Sequence, residues 1–284
     1  MPARRMKICS RSISDILSVW HNPFRTPTVY FTNTPNVGDR LNEFILPLVS
    51  GRKILKVHGN AVSHLRAIGS VVGSAGPRSR IWGSGSIDGA IPKRPIKAKN
   101  VFAVRGPLTR GVLEAATGQR LEGIPMGDPA LLMPKYYPTG ADKRFAVGIV
   151  PHFSDEEEMR NMVNMLGSKD VIIINVRQNP TSFVDLIVQC DLILSSSLHG
   201  LILADAYQIP NTRILGRKKL LGGNFKFDDY YATTFGPQTP PLIAQDIASF
   251  REAVRCAPAN CRVHDFRGDL KHLLDQFPEE YRSW

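Results

Sequence analysis

DLILSSSLHGLILADAYQIPNTRILG, residues 191–216, decides how this chain folds. DLILSSS (191–197) reads as an apolar strand running into three serines, LHGLILADAYQ (198–208) as a helix, and TRILG (212–216) as a second strand. A strand, helix, strand run with near-continuous apolar strands is the crossover unit of a parallel sheet covered on both faces. The rhythm extends upstream. RFAVGIVPHF (144–153) and DVIIIN (170–175) read as strands and TSFVDLIVQC (181–190) as a helix. SDEEEMRNMVNMLG (154–167) reads as a helix in which Ser154 caps a run of acids favoured by the helix dipole.

The amino-terminal half has the same style. TVYFTN (28–33) predicts a strand, PNVGD (35–39) a turn, and RLNEFILPLVSG (40–51) a helix stopped by Gly51. RIWGSGSI (80–87) and VFAVRG (101–106) predict strands. PLTRGVLEAATG (107–118) has Pro in its first turn and Gly at its end, the asymmetry of a helix. IPMGDPALLMP (124–134) closes this half. The fold class is therefore α/β. A boundary at the Pro/Gly-rich MPKYYPTGADKR (133–144) gives domains 1–140 and 141–284 facing a cleft, and DLKHLLDQFPEEYRSW (269–284) predicts a closing helix that packs on either.

A chain of 284 residues has room for two such domains. No stretch reaches the roughly 18 apolar residues of a membrane span, and the basic start lacks a sustained apolar region, so no signal peptide is expected. The cysteines show no CxxC spacing, which points to a reduced, cytoplasmic protein, and no metal is expected; Cys256 and Cys261 would chelate one only with partners elsewhere. Charge is uneven. Residues 1–140 hold 20 Lys and Arg against 7 Asp and Glu, net +13, while residues 141–284 hold 16 against 18, net −2. That asymmetry reads as a solvated basic surface or as a footprint for an anionic partner, such as a phosphorylated substrate or an anionic lipid surface. Nucleic acid is not expected, because no helix-turn-helix, zinc finger or RNP-type aromatic run accompanies the charge.

Ligands of open parallel sheets bind beyond the carboxyl ends of the strands, which selects few residues. Ser196 or Ser197 is placed to cap the helix starting at Leu198, and Gly200 would let an anion approach its N–H groups. His199 sits at the mouth as a ligand or proton donor, or as a structural histidine. In NVGD (36–39), Gly38 permits a tight turn, and Asp39 either caps a helix beginning at Arg40 or joins Asn36 at a sugar hydroxyl. Arg105 ends a strand, where its fork suits a carboxylate, a phosphate or a surface acid. Asp128 precedes Pro129 and reads first as a turn initiator. NFKFDDYY (224–231) offers Lys226 to a phosphate or leaves it in a solvated loop. IWGSGS (81–86) lacks GxGxxG spacing, and no Walker A, HExxH or GxSxG sequence occurs.

Taken in order, NVGD, WGSGS, the VRG segment, GDPALL and SSLHGLILADAYQIP resemble the polysaccharide pyruvyl transferase family over roughly residues 30–235. The resemblance implies two Rossmann-like domains facing a cleft, similar to GT-B glycosyltransferases. It further implies transfer of pyruvate from phosphoenolpyruvate to sugar hydroxyls, as a ketal, during assembly of a surface polysaccharide. By the same resemblance Arg105, His199 and Lys226 would bind the phosphoenolpyruvate anion, and Asp39 would lie near the acceptor or move a proton. Many family members carry an arginine directly before Leu-His where this chain has Ser197, so Arg213, Arg217 or a lysine is expected to compensate, or donor binding differs.

The chemistry that follows assigns His199 as acid, Asp39 as the group that takes the hydroxyl proton, and Asn36, Gly38, Ser197, Leu198 and Gly200 as substrate-binding. No cofactor is expected beyond the donor. A saccharide acceptor on a lipid diphosphate would bring the basic half against an anionic membrane at its inner face. Two other readings remain: a GT-B-type glycosyltransferase using a nucleotide sugar, and a non-catalytic binder of anionic surfaces or nucleic acid.

Overall fold

The computed structural model describes residues 2–31, 34–59, 61–236 and 238–283, with side chains from residue 11 onward. The chain opens with α1 (Pro2–His21) and builds a first sheet from β1 (Thr26–Thr28), β2 (Ile54–Lys56), β3 (His64–Arg66), β4 (Ser79–Trp82) and β5 (Val101–Ala103). α2 (Val37–Ser50) joins β1 to β2, while α3 (Pro107–Thr117) and α4 (Met133–Tyr136) follow β5. A second sheet takes β6 (Phe145–Val150), β7 (Val171–Ile173), β8 (Cys190–Ser195), β9 (Asn211–Leu215) and β10 (Leu242–Ile243). Its crossovers are α5 (Glu156–Leu166), α6 (Pro180–Val188), α7 (Leu198–Ala206) and α8 (Phe225–Tyr231), and α9 (Ile247–Asn260) and α10 (Leu270–Asp275) follow.

All pairings within both sheets are parallel. The order is β2-β1-β3-β4-β5 in one and, read from its other edge, β7-β6-β8-β9-β10 in the other, so the two repeat a single doubly wound topology. In each, the strand order reverses between the first and third strands. That is where an open parallel sheet leaves a crevice at its carboxyl ends.

Several expectations are corrected. The first strand spans 26–28 rather than 28–33, of which Thr32 and Asn33 lie outside the described residues. α2 starts at Val37 with Asn36 as its cap, so Asp39 is a first-turn residue and not the cap. α5 is preceded by Asp155 rather than capped by Ser154. NFKFDDYY forms helix α8 instead of a loop.

The core ignores the midpoint of the chain. Leu41 and Ile45 of α2, Leu65 of β3 and Trp82 of β4 belong to one buried cluster with Val150, Phe183, Leu201 and Leu273 of the second half. Burial of that apolar surface holds the two sheets together. The tail returns to the first sheet. The Trp82 indole donates to the Leu273 carbonyl at 2.8 Å, Phe277 meets the Trp82 ring edge-on with centroids 4.9 Å apart, and the Ser283 N–H donates to the Ser50 carbonyl at 2.7 Å.

Candidate active site

The two topological reversals face each other. A crevice of about 230 Å³ takes Asn36 and Asp39 from the segment after β1, Gly69 and Ser70 from that after β3, His152 and Phe153 from that after β6, and Ser197, Leu198 and His199 from that after β8. Lys226 of α8 completes the wall.

Asn36 has extended backbone angles and its side-chain oxygen accepts the Gly38 N–H at 3.1 Å, which starts α2. This sets Asp39 in the first turn, where the helix dipole favours an anion. The Phe31 N–H donates to it at 3.3 Å. Burial nevertheless pushes its pKa up to about 6, against the opposing effects of His199, the Phe31 N–H and Lys226. Gly38 lacks the positive φ of a turn glycine, so the expected reason for it is corrected. A Cβ there would stand 2.0 Å from His199 Nδ1: the absent side chain is the seat of the imidazole.

His199 is the second residue of α7 and is 8% exposed. Its Nε2 lies 3.6 Å from Asp128 Oδ2, and neither atom has a hydrogen-bond partner. Asp128 does start the turn expected of it, since Oδ1 accepts the Ala130 N–H at 3.0 Å. Its second oxygen is aimed at the histidine.

The serines behave otherwise than expected. Ser195 accepts the Ser197 N–H at 3.0 Å, Ser196 accepts the His152 N–H at 2.8 Å, and Ser197 occupies the cap position of α7 without a capping side-chain bond. The first-turn N–H groups of α7 therefore have no side-chain cap, beside the crevice that Ser197 and Leu198 line. Gly200 does not line the crevice. A Cβ on it would meet Ser195 Oγ at 2.4 Å and Val150 Cγ1 at 2.7 Å, so it permits α7 to pack on β6 and β8.

Lys226 is 9% exposed, and among the described residues its ammonium has no hydrogen bond or ion pair. Burial first, then the charges of Arg105 and Arg213, bring its pKa down to about 8, with Asp39 pulling the other way.

Arg105 is not brought to the crevice. It is fully buried, donating from Nε to Asp229 Oδ2 at 3.0 Å, from Nη1 to Ser70 Oγ at 2.7 Å and from Nη2 to the Ser86 carbonyl at 2.7 Å. Asp229 also accepts from the Thr109 N–H and hydroxyl at 2.8 and 2.7 Å. Arg105 thus reaches the wall only through Ser70.

Arg213, Arg217, Lys218 and Lys219 gather in an adjoining cavity of about 310 Å³ that also takes in Ser196. Arg213 is 4% exposed, its guanidinium lies 3.7 Å over the Phe227 ring, and its Nε has no partner. Cys256 and Cys261 form no chelating pair; their thiols donate to Glu252 and to the Ile193 carbonyl. Among the described residues no three His, Cys, Asp or Glu side chains are grouped to hold a metal.

His152 is the residue that sequence reading missed. Burial and the Lys226 charge depress its pKa to about 4, so it enters the crevice neutral, with Nδ1 2.8 Å from Ser154 Oγ. Its signal was position, two residues past the end of β6.

The family model for polysaccharide pyruvyl transferase matches residues 96–215, a span that contains Asp128, His152, Ser197 and His199. This segment is similar to a polysaccharide pyruvyl transferase domain. Relatives agree. The succinoglycan biosynthesis protein ExoV of Rhizobium meliloti is 26% identical over 234 residues, covering 77% of this chain and 68% of that protein. The uncharacterized protein L143 of Acanthamoeba polyphaga mimivirus is 28% identical over 209 residues, 71% of each. Over residues 96–215 the chain is thus similar to polysaccharide pyruvyl transferases. Asp39 and Lys226 come to the crevice from outside the matched segment.

Proposed function

We propose that the crevice moves pyruvate from phosphoenolpyruvate to two hydroxyls of a saccharide. The observation that carries this is the meeting of an ammonium that has no hydrogen bond or ion pair among the described residues, an imidazole backed by a carboxylate, a carboxyl shifted towards neutrality and an uncapped helix start in one small space. An enol phosphate with about three negative charges suits that set of cation and N–H donors.

In this reading the Asp128 carboxylate, 3.6 Å from Nε2, backs the imidazole of His199 from behind the crevice. His199 delivers a proton to the methylene carbon of the donor, and C2 takes on oxocarbenium character. One acceptor hydroxyl bonds to C2 and gives its proton to Asp39. A second hydroxyl then bonds to C2 as the C2–O bond to phosphate breaks. The two hydroxyl protons balance the one fixed on the methyl group and the one that leaves with phosphate. Lys226 and the α7 N–H groups hold the phosphate, while Arg213 and its neighbours in the adjoining cavity supply the positive field expected at the position of Ser197.

The acceptor in this reading is carried on a lipid diphosphate, whose charge suits the net +13 of residues 1–140. Phosphate release from phosphoenolpyruvate in the presence of saccharide acceptors tests the reaction. His199→Ala is expected to lower the rate by roughly 10²–10⁴-fold, the usual range for a general acid. A variant as fast as the wild type would overturn the assignment.

A further inference from the structure

No helix among the described residues is long and apolar enough to cross a membrane, yet α1 carries an apolar stripe that nothing among the described residues covers. Ile13, Ile16, Leu17 and Trp20 are 52, 51, 46 and 76% exposed. Their spacing of three, four and seven residues puts them on one face of the helix, and Phe24, 82% exposed, follows just beyond its end. The face α1 turns inward is polar: Asp15 is 3% exposed and accepts the N–H groups of His58 and Gly59 at 3.1 and 2.9 Å. An amphipathic helix that engages its host through a carboxylate and leaves its apolar stripe in water is the reverse of ordinary packing.

We infer that this stripe is a docking surface for an anionic lipid bilayer. Charge selects the occupant. Arg4, Arg5, Lys7 and Arg11 belong to the same helix, whose single acid is the engaged Asp15. Position agrees with charge. Arg11 and Asp15 line a cavity of about 690 Å³ together with exposed Ile91, Lys93 and Arg94, so apolar and basic side chains recur on its other rim. That cavity shares Ile87 with the crevice of His199. Docked through the 13-16-17-20 stripe, the helix would lie in the headgroup plane with this cavity on its inward face. Bilayer docking stands apart from the reaction proposed above. The further step, in which an acceptor held at the membrane threads through the cavity to the crevice, rests on that reading.

Flotation of the full chain with vesicles tests the docking surface. The wild type is expected to float with vesicles containing phosphatidylglycerol and at least about tenfold less with phosphatidylcholine alone. Ile16→Glu/Trp20→Glu is expected to lose about tenfold or more of the binding to the anionic vesicles, whereas Met165→Glu, at an exposed apolar position on α5, keeps it. Brominated lipid should quench wild-type fluorescence and fail to quench Trp20→Phe, which removes only the stripe's reporter. Equal flotation of wild type and the double variant, or equal flotation on neutral and anionic vesicles, would overturn the inference. So would a wild-type dimer that the double variant splits without any vesicle binding, because a second copy would then cover the stripe. Phosphate release with a water-soluble saccharide is expected to be the same in wild type and the double variant. Failure of the reaction assignment therefore shows as no release in either, whatever the vesicles do.

Discussion

A missing methyl group holds the imidazole of His199 in place. Gly38 lies inside the first turn of α2 with ordinary helical φ, where Ala would suit the helix better by about 1 kcal/mol. Gly38→Ala is therefore expected to leave the thermal midpoint close to wild type while displacing the ring and lowering kcat on the order of 10²-fold. Calorimetry beside phosphate release separates the two effects. Asp39 gives a prediction whose sign follows from its pKa. Its folded value of about 6 stands above the ordinary 3.8, so ionisation is costlier in the fold than in the unfolded chain, and the native state loses stability as pH rises between those values. Asp39→Asn removes that loss. Its thermal midpoint should exceed wild type at pH 7 and approach it near pH 4, even as activity falls. With Asp39 ionised above about 6 and Lys226 protonated below about 8, kcat/KM is expected to be bell-shaped between those limits, with the acid limb absent in Asp39→Asn.

The strand-end rule pointed to Asp39 and His199 and the segment after the last strand to Lys226, and all three line the crevice. It could not show what lies behind them. Asp128 is 71 residues from His199 and Asp229 is 124 from Arg105, and pairings of that span are created only by the fold.

Between elements, the buried ion pair of Arg105 and Asp229 ties α8 to the segment leading into α3. Both side chains are fully buried, so removing one leaves an uncompensated charge. Arg105→Ala is expected to cost about 3–5 kcal/mol in urea unfolding, and Arg105→Ala/Asp229→Ala less than the sum of the single variants. If Arg105 instead held the donor directly, its removal would raise KM at unchanged stability. The elements themselves were legible in proportion to their length. Continuous apolar runs marked β6 and β8, and Pro107 with Gly118 bounded α3. β2 and β3 have three residues each and include Lys56, His64 and Arg66, so they lack a hydrophobic period. α8 was obscured by its paired aspartates, one of which turns inward to Arg105. α1 was missed because its exposed stripe stands among serines and arginines.

Across the whole molecule, one interior joins the two sheets and the tail closes back on Trp82. Urea unfolding followed by tryptophan fluorescence and by far-ultraviolet circular dichroism is expected to give coincident single transitions. Two separated steps would mean that the halves hold themselves up alone. A shared interior also bears on turnover. Jaws fused at the root share one rigid hinge line, so small-angle scattering should return the same radius of gyration with phosphoenolpyruvate added as without it.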